Sequence, residues 1–132
     1  MPLANVLIVD DDFDSAEALL IMLENAGYDA RVALNAAGAV AIVSEDFEPD
    51  FAVIDIGLPE VSGLELVALL RTEHALDRCA FIAVSGYVFD GFPERSLAAG
   101  FAAHLRKPLD FARLLTAFGQ DRAAMDRFAK SR

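Results

Sequence analysis

The stretch "VLIVDDDFD", Val6 to Asp14, sets four carboxylates directly behind four apolar residues. A strand made of Val6, Leu7, Ile8 and Val9 would be buried, and Asp10, Asp11 and Asp12 would crowd at its carboxyl end. Like charges at that spacing repel. Either they face water, or a positive group sits among them. A hard cation such as Mg²⁺ takes oxygen ligands and keeps several waters, so a few carboxylates are enough to hold it. Asp55 offers a second chemistry. It closes the apolar run "FAVID", and a carboxylate can act as a nucleophile toward phosphorus, giving an aspartyl phosphate. Ser85 and Lys107 follow two further apolar runs. Their hydroxyl and ammonium groups are of the kind that neutralise and position a transferred phosphoryl group. Taken singly, each residue has an ordinary reading. Asp12 reads as a helix cap, Ser85 as a turn hydroxyl and Lys107 as a surface lysine. His74 reads as an exposed helix-end residue and Cys79 as a partly buried bystander.

Elements that would gather these groups are visible in the apolar pattern. Buried strands are expected at Ala4–Val9, Asp29–Ala33, Phe51–Ile54, Ala80–Val84 and Ala102–Leu105, the second and last being faint. Helical spacing fills the gaps. Phe13, Ala16, Leu19, Leu20 and Leu23 step by three or four, and Gly27 is the expected stop. Ala36–Val43 follows Asn35, a good N-cap. Ser62 and Glu65 form a capping box before Gly63–Thr72. Pro93–Ala99 ends at Gly100, and Leu109–Phe118 lines up Phe111, Leu114, Leu115 and Phe118. Five strands alternating with five helices predict a parallel sheet covered on both faces. In such sheets ligands bind at the carboxyl ends of the strands. Asp10, Asp11, Asp55, Ser85 and Lys107 all fall at those ends.

Composition excludes several classes. At 132 residues with 55% hydrophobic content, the chain is read as one folded domain. No apolar run approaches a membrane span, and the start lacks a basic n-region, so a cytoplasmic protein is expected. One cysteine, Cys79, fits a reducing compartment. A net charge of −10 argues against direct nucleic-acid binding. The stretch "SEDFEPD" reads as a solvated loop.

"VLIVDDD", "AVIDIGLPEVSGLEL", "AVSGY" and "AAGFAAHLRKPLD" together resemble the receiver domain of bacterial two-component response regulators, over residues 4–118. The resemblance implies a flavodoxin-like (βα)5 fold with strand order 2-1-3-4-5, an order that the spacing alone does not supply. It implies Asp55 as phosphoacceptor. Asp10, Asp11, Asp55 and the backbone carbonyl of Gly57 would be the ligands of Mg²⁺, or of Mn²⁺. Ser85 stands at the family's Thr/Ser and Lys107 at its phosphate-binding lysine, with a cis bond to Pro108 expected. Such a receiver takes its phosphoryl group from a sensor histidine kinase or a histidine phosphotransfer protein and is not an enzyme in the classical sense.

Three positions depart from the usual pattern. Gly57 offers no side chain to orient an attacking water, while Tyr87 is bulky enough to screen the site and prolong the phosphoryl lifetime. His104 stands where receivers carry a Tyr or Phe switch. It is expected to turn from solvent toward space that Ser85 vacates, and to do so less readily when protonated. The surface so altered, around Val88, Leu97, His104, Arg106 and Phe111 on the fourth helix, fifth strand and fifth helix, would meet a downstream partner or a second copy. Residues 1–119 are assigned to the receiver and 120–132 to a helical extension or tail. The initial Met favours a stand-alone receiver over a piece of a hybrid kinase. A degenerate receiver serving only for docking is the main alternative. A haloacid dehalogenase-type phosphatase would need a Thr or Val after its D-x-D and a cap domain. A flavodoxin-like cofactor binder would need a phosphate-cradling loop where this chain has carboxylates.

Overall fold

The computed structural model describes residues 3–58, 61–73, 76, 78–86 and 98–119. The chain runs β1 (Asn5–Val9), α1 (Phe13–Asn25), β2 (Asp29–Ala33), α2 (Ala36–Ser44), β3 (Phe51–Asp55), α3 (Gly63–Glu73), β4 (Ala80–Ser85) and β5 (Phe101–Arg106). A last helix covers residues 111–119. All strands pair in parallel in the order β2-β1-β3-β4-β5. The expected α/β sheet and its 2-1-3-4-5 order are therefore observed.

Period-two alternation divides each central strand between two cores. Leu7, Val9, Ala52, Ile54, Phe81 and Ala83 face α2 and α3, meeting Ala39, Leu66, Val67 and Leu70. Val6, Ile8, Val53, Ile82 and Val84 face α1 and the last helix, meeting Ala16, Leu19, Leu23, Leu114 and Phe118. Phe51 stacks on Phe118 with ring centroids 4.1 Å apart, which ties the helix at 111–119 to the middle strand. Among the described residues no helix is long and apolar enough to cross a membrane.

Element ends follow local chemistry. Asn35 Oδ1 accepts the Gly38 N–H at 2.7 Å and caps α2. Gly27, at φ +102°, takes the left-handed turn that ends α1. Ser62 Oγ accepts the Glu65 N–H at 3.2 Å, forming half of the expected capping box. The Glu65 carboxylate meets the Ser62 hydroxyl instead of completing the box on its backbone. Asp12 occupies the N-cap of α1 without a side-chain bond to the helix backbone. Its carboxylate accepts the Ser15 hydroxyl at 2.6 Å. Phe13, read above as part of the buried stripe, is 58% exposed, because it precedes the first turn that touches the sheet. The loop read as merely solvated is docked: Asp50 accepts the Asn5 N–H at 2.8 Å, and Phe47 is buried. His74, Tyr87, Val88, most of the fourth predicted helix and the extension 120–132 lie outside the described residues.

Two features carry the strand ends into position. The start of α3 lies directly on the end of β3, where a Cβ on Gly63 would come within 2.8 Å of the Asp55 carbonyl oxygen and 2.9 Å of Ile56 Cα. Both atoms are backbone and cannot swing away. In β5, Phe101 pairs with Phe81 but His104 pairs with Ala83, so one extra residue bulges between them. That residue puts Phe101 and His104 on the same face of the sheet.

Gly63→Ala should lower the unfolding free energy in urea by about 1–3 kcal/mol, the usual cost of overpacking. A variant as stable as wild type would mean that α3 can retreat from β3 without penalty.

Candidate functional site

Strand order decides which chain ends meet. β1 lies between β2 and β3, so Asp10 and Asp11, just beyond β1, stand beside Asp55 at the end of β3. One oxygen from each of Asp10, Asp11 and Asp55 falls within a sphere of mutual distances under 4.8 Å. Asp11 is exposed, Asp10 half-buried and Asp55 only 8% exposed. Backbone bonds hold the frame: the Asp10 N–H donates to the Ala33 carbonyl, the Ile56 N–H to Val84 and the Lys107 N–H to Ser85.

The positive group among the carboxylates is Lys107. Its Nζ donates to Asp55 Oδ2 at 3.0 Å and lies 3.3 Å from Asp10 Oδ2. The Lys107–Pro108 bond that follows β5 is cis, as expected. Asp55 Oδ1 accepts the Gly57 N–H at 2.8 Å, so both of its oxygens are engaged and the carboxylate is held in one orientation. Asp10 Oδ1 accepts the Asp12 N–H at 2.9 Å.

The electrostatics follow from this crowding. Burial raises the Asp10 pKa, and the Asp55 charge pushes the same way; the Asp12 N–H and Lys107 oppose both. Burial works to lower the Lys107 pKa, but the hydrogen bond and charge of Asp55, followed by Asp10, outweigh it and raise the value. A mainly apolar cavity of about 500 Å³ between α1 and the sheet, walled by Ala16, Leu19, Val53 and Val84, adjoins Asp10, Asp55 and Lys107.

Ser85 ends β4 and is buried. His104 does not stand in solvent, as the sequence reading had it. It is half-buried, and its Nε2 lies 2.9 Å from Ser85 Oγ. The β5 bulge turns it to that side. Burial and the charge of Arg106 lower its pKa. Cys79 is half-buried, with its thiol pKa pushed up by burial and by Asp50.

Asp10, Asp11, Asp55 and Lys107 thus converge, with Gly57 donating to the cluster through its N–H. Ser85 lies at the adjacent strand end and joins His104. Gly63 went unremarked as a positioning residue. Its signal was a glycine at the first turn of a helix, where glycine is a poor helix former.

Sequence comparison accounts for this arrangement. Residues 6–119 match the family described as response regulator receiver domain. The polar-differentiation response regulator DivK of Brucella anthropi is 32% identical over 111 residues, covering 84% of this chain and 89% of that protein. Among solved structures, a CheY-like receiver domain protein from Methanospirillum hungatei matches with a TM-score of 0.80 at 29% identity, covering 98% of this chain and 99% of that one. A response regulator from Burkholderia pseudomallei, solved with a phosphorylated aspartic acid, a calcium ion and citrate, matches with a TM-score of 0.80 at 25% identity, covering 96% of this chain and 74% of that one. The chain belongs to the response regulator receiver domain family. It is a receiver domain of two-component signalling, a signalling module and not a classical enzyme; receivers bind Mg²⁺ at an acidic pocket.

Lys107→Met should expose the strain that the ammonium relieves. At pH 7 the variant should lose about 2 kcal/mol in urea unfolding, since it leaves two partly buried carboxylates uncompensated. The deficit should shrink on acidification. A raised Asp10 pKa means the folded state binds its proton first, a contribution fully present below the ordinary value of 3.8 and lost as pH rises through the folded value. Without Lys107 that window reaches to higher pH. Equal stability at pH 7 would show that the ammonium does not hold the cluster together.

Proposed function

We propose that this receiver accepts a phosphoryl group on Asp55 from a sensor histidine kinase or a histidine phosphotransfer protein, and that Mg²⁺ assists. The observation that carries this reading is the oriented, buried Asp55 carboxylate with an ammonium at 3.0 Å and two further carboxylates beside it. An Asp55 oxygen attacks phosphorus, the P–N bond to the donor histidine breaks, and its electron pair leaves with the imidazole. Lys107 then pairs with the phosphoryl oxygens, and Ser85 donates its hydroxyl to them.

Asp10, Asp11, Asp55 and the Gly57 carbonyl would hold the metal. The donor set fits: it is all oxygen, gathered within 4.8 Å in its carboxylate part, as hard divalent cations require. Mn²⁺ suits the same ligands. Bound there, the cation supplies charge neutralisation for the incoming phosphoryl group. The Burkholderia pseudomallei neighbour, with its phosphorylated aspartic acid and calcium ion, supports both parts of the reading.

Residues 1–119 form the receiver in this reading and 120–132 an extension. Its setting is the cytoplasm. Output passes to a downstream protein or a second copy through the face that includes His104, Arg106 and Phe111. Gly57 and Tyr87 tune how long the phosphoryl group lasts.

Incubation with acetyl phosphate and Mg²⁺, followed by intact mass, should show one base-labile phosphate on the wild-type chain and none on Asp55→Asn. A label on Asp10 or Asp11 in the variant would overturn the assignment, and an unlabelled wild type would favour a docking-only receiver. Lys107→Ala should still accept phosphate while losing its structural response. Mg²⁺ at 100 times its dissociation constant should stabilise the wild-type chain by about 2.7 kcal/mol. Asp11→Asn should lose most of that gain; equal responses in a melting experiment would put the metal elsewhere.

A further inference from the structure

Ser85 Oγ and His104 Nε2 lie 2.9 Å apart, and Ser85 is buried. At that distance one of the two atoms donates. A hydroxyl has a single proton, and a neutral imidazole carries its N–H on one nitrogen only. Two arrangements result. With Nε2 bare, Ser85 donates to the ring and its proton points away from Asp55's neighbourhood. With Nε2 protonated, the ring donates to Ser85 Oγ, and the hydroxyl proton turns toward another acceptor. Imidazolium permits only the second arrangement.

We propose that His104 is a positioning residue for the phosphoryl group on Asp55, acting by setting the direction in which Ser85 donates its proton. The proposal rests on the phosphoacceptor reading above and adds a residue to it. A phosphoryl group that needs the Ser85 hydroxyl as donor selects the Nε2–H form of His104. Linkage then runs both ways: protonation of His104 strengthens the hold on the phosphoryl group, and the phosphoryl group strengthens the hold of His104 on its proton. This sign is the reverse of the one expected for a ring that swings inward only when neutral.

The setting makes the choice of form responsive. Among the described residues, β4 presents the uncharged Ser85 to the ring, and Arg106 acts on it from its own strand. Lys107, Asp110 and Arg113 line the groove of about 450 Å³ that His104 shares with the last helix. Burial and the charge of Arg106 disfavour imidazolium in the absence of phosphate. A dianionic phosphoryl group next to Ser85 opposes that bias.

The experiment uses beryllofluoride with Mg²⁺ in place of the phosphoryl group and reads the imidazole ¹⁵N shifts of the wild-type chain, with His74, its other histidine, as internal reference. The probe should place the proton on Nε2 of His104 and raise the pH at which that ring titrates. Beryllofluoride affinity, taken as the ratio of wild type to His104→Phe, should rise about fivefold from about pH 8 to about pH 5.5, the low end of ordinary coupling. The ratio removes pH effects common to both proteins. Ser85→Ala should still bind the probe through Lys107 but raise the His104 titration by less than in the wild-type chain, since only the through-space charge remains. Binding that leaves the His104 tautomer and titration unchanged, or a flat ratio, would overturn the positioning role and leave the Asp55 reading intact. A wild-type chain that beryllofluoride fails to bind would overturn both.

Discussion

The ammonium of Lys107 reaches two carboxylates that belong to different strands, Asp10 after β1 and Asp55 at the end of β3, at 3.3 and 3.0 Å. Half-buried and buried carboxylates this close repel strongly, since neither water nor salt screens them fully. A lysine 52 positions from Asp55 in the chain supplies the compensating charge. The compensation is partial. One ammonium faces three carboxylates, so the site keeps an excess of negative charge, the condition under which a divalent cation is drawn in.

Backbone bonds set the strand ends on which these groups stand. Parallel pairing aligns the carboxyl ends of β1, β3, β4 and β5 along one edge. The N–H groups of Asp10, Ile56 and Lys107 lock each end to its neighbour. Gly63 lets α3 begin in contact with the Asp55 carbonyl, and the Gly57 N–H fixes the rotation of the Asp55 carboxylate. The side chains that do the chemistry are few. The atoms that aim them are main chain, which is why a methyl group added at Gly63 matters as much to this site as a change of charge.

The two sheet faces divide the work differently. On the face of α1 and the last helix, apolar side chains pack up to the carboxylates and leave a cavity that Asp10, Asp55 and Lys107 also line. On the other face, the extra residue of β5 rotates His104 against Ser85. A strand without that bulge would keep Phe101 and Ala103 on one face and place His104 opposite Phe101.

By itself the amino-acid sequence determined the elements and the edge at which chemistry happens. Alternating apolar runs and three- to four-residue steps depend only on local periodicity, so β2 was placed to the residue, and β1, β3 and β4 to within one. Asp10, Asp11, Asp55, Ser85 and Lys107 could be read as strand-end residues for the same reason. Short-range signals also fixed the Asn35 cap and the turn at Gly27. What the chain order could not express is distance between segments. That Lys107 bridges Asp10 and Asp55 depends on β1 and β3 being neighbours. That Gly63 is crowded depends on where α3 lands. That His104 meets Ser85 depends on a one-residue bulge, and a bulge leaves no mark in a faint apolar pattern such as "FAAHLR". Phe13 was misjudged because periodicity locates a stripe but not where a helix first touches its sheet. Local pattern reports which face a residue occupies; only the packed sheet decides what that face meets.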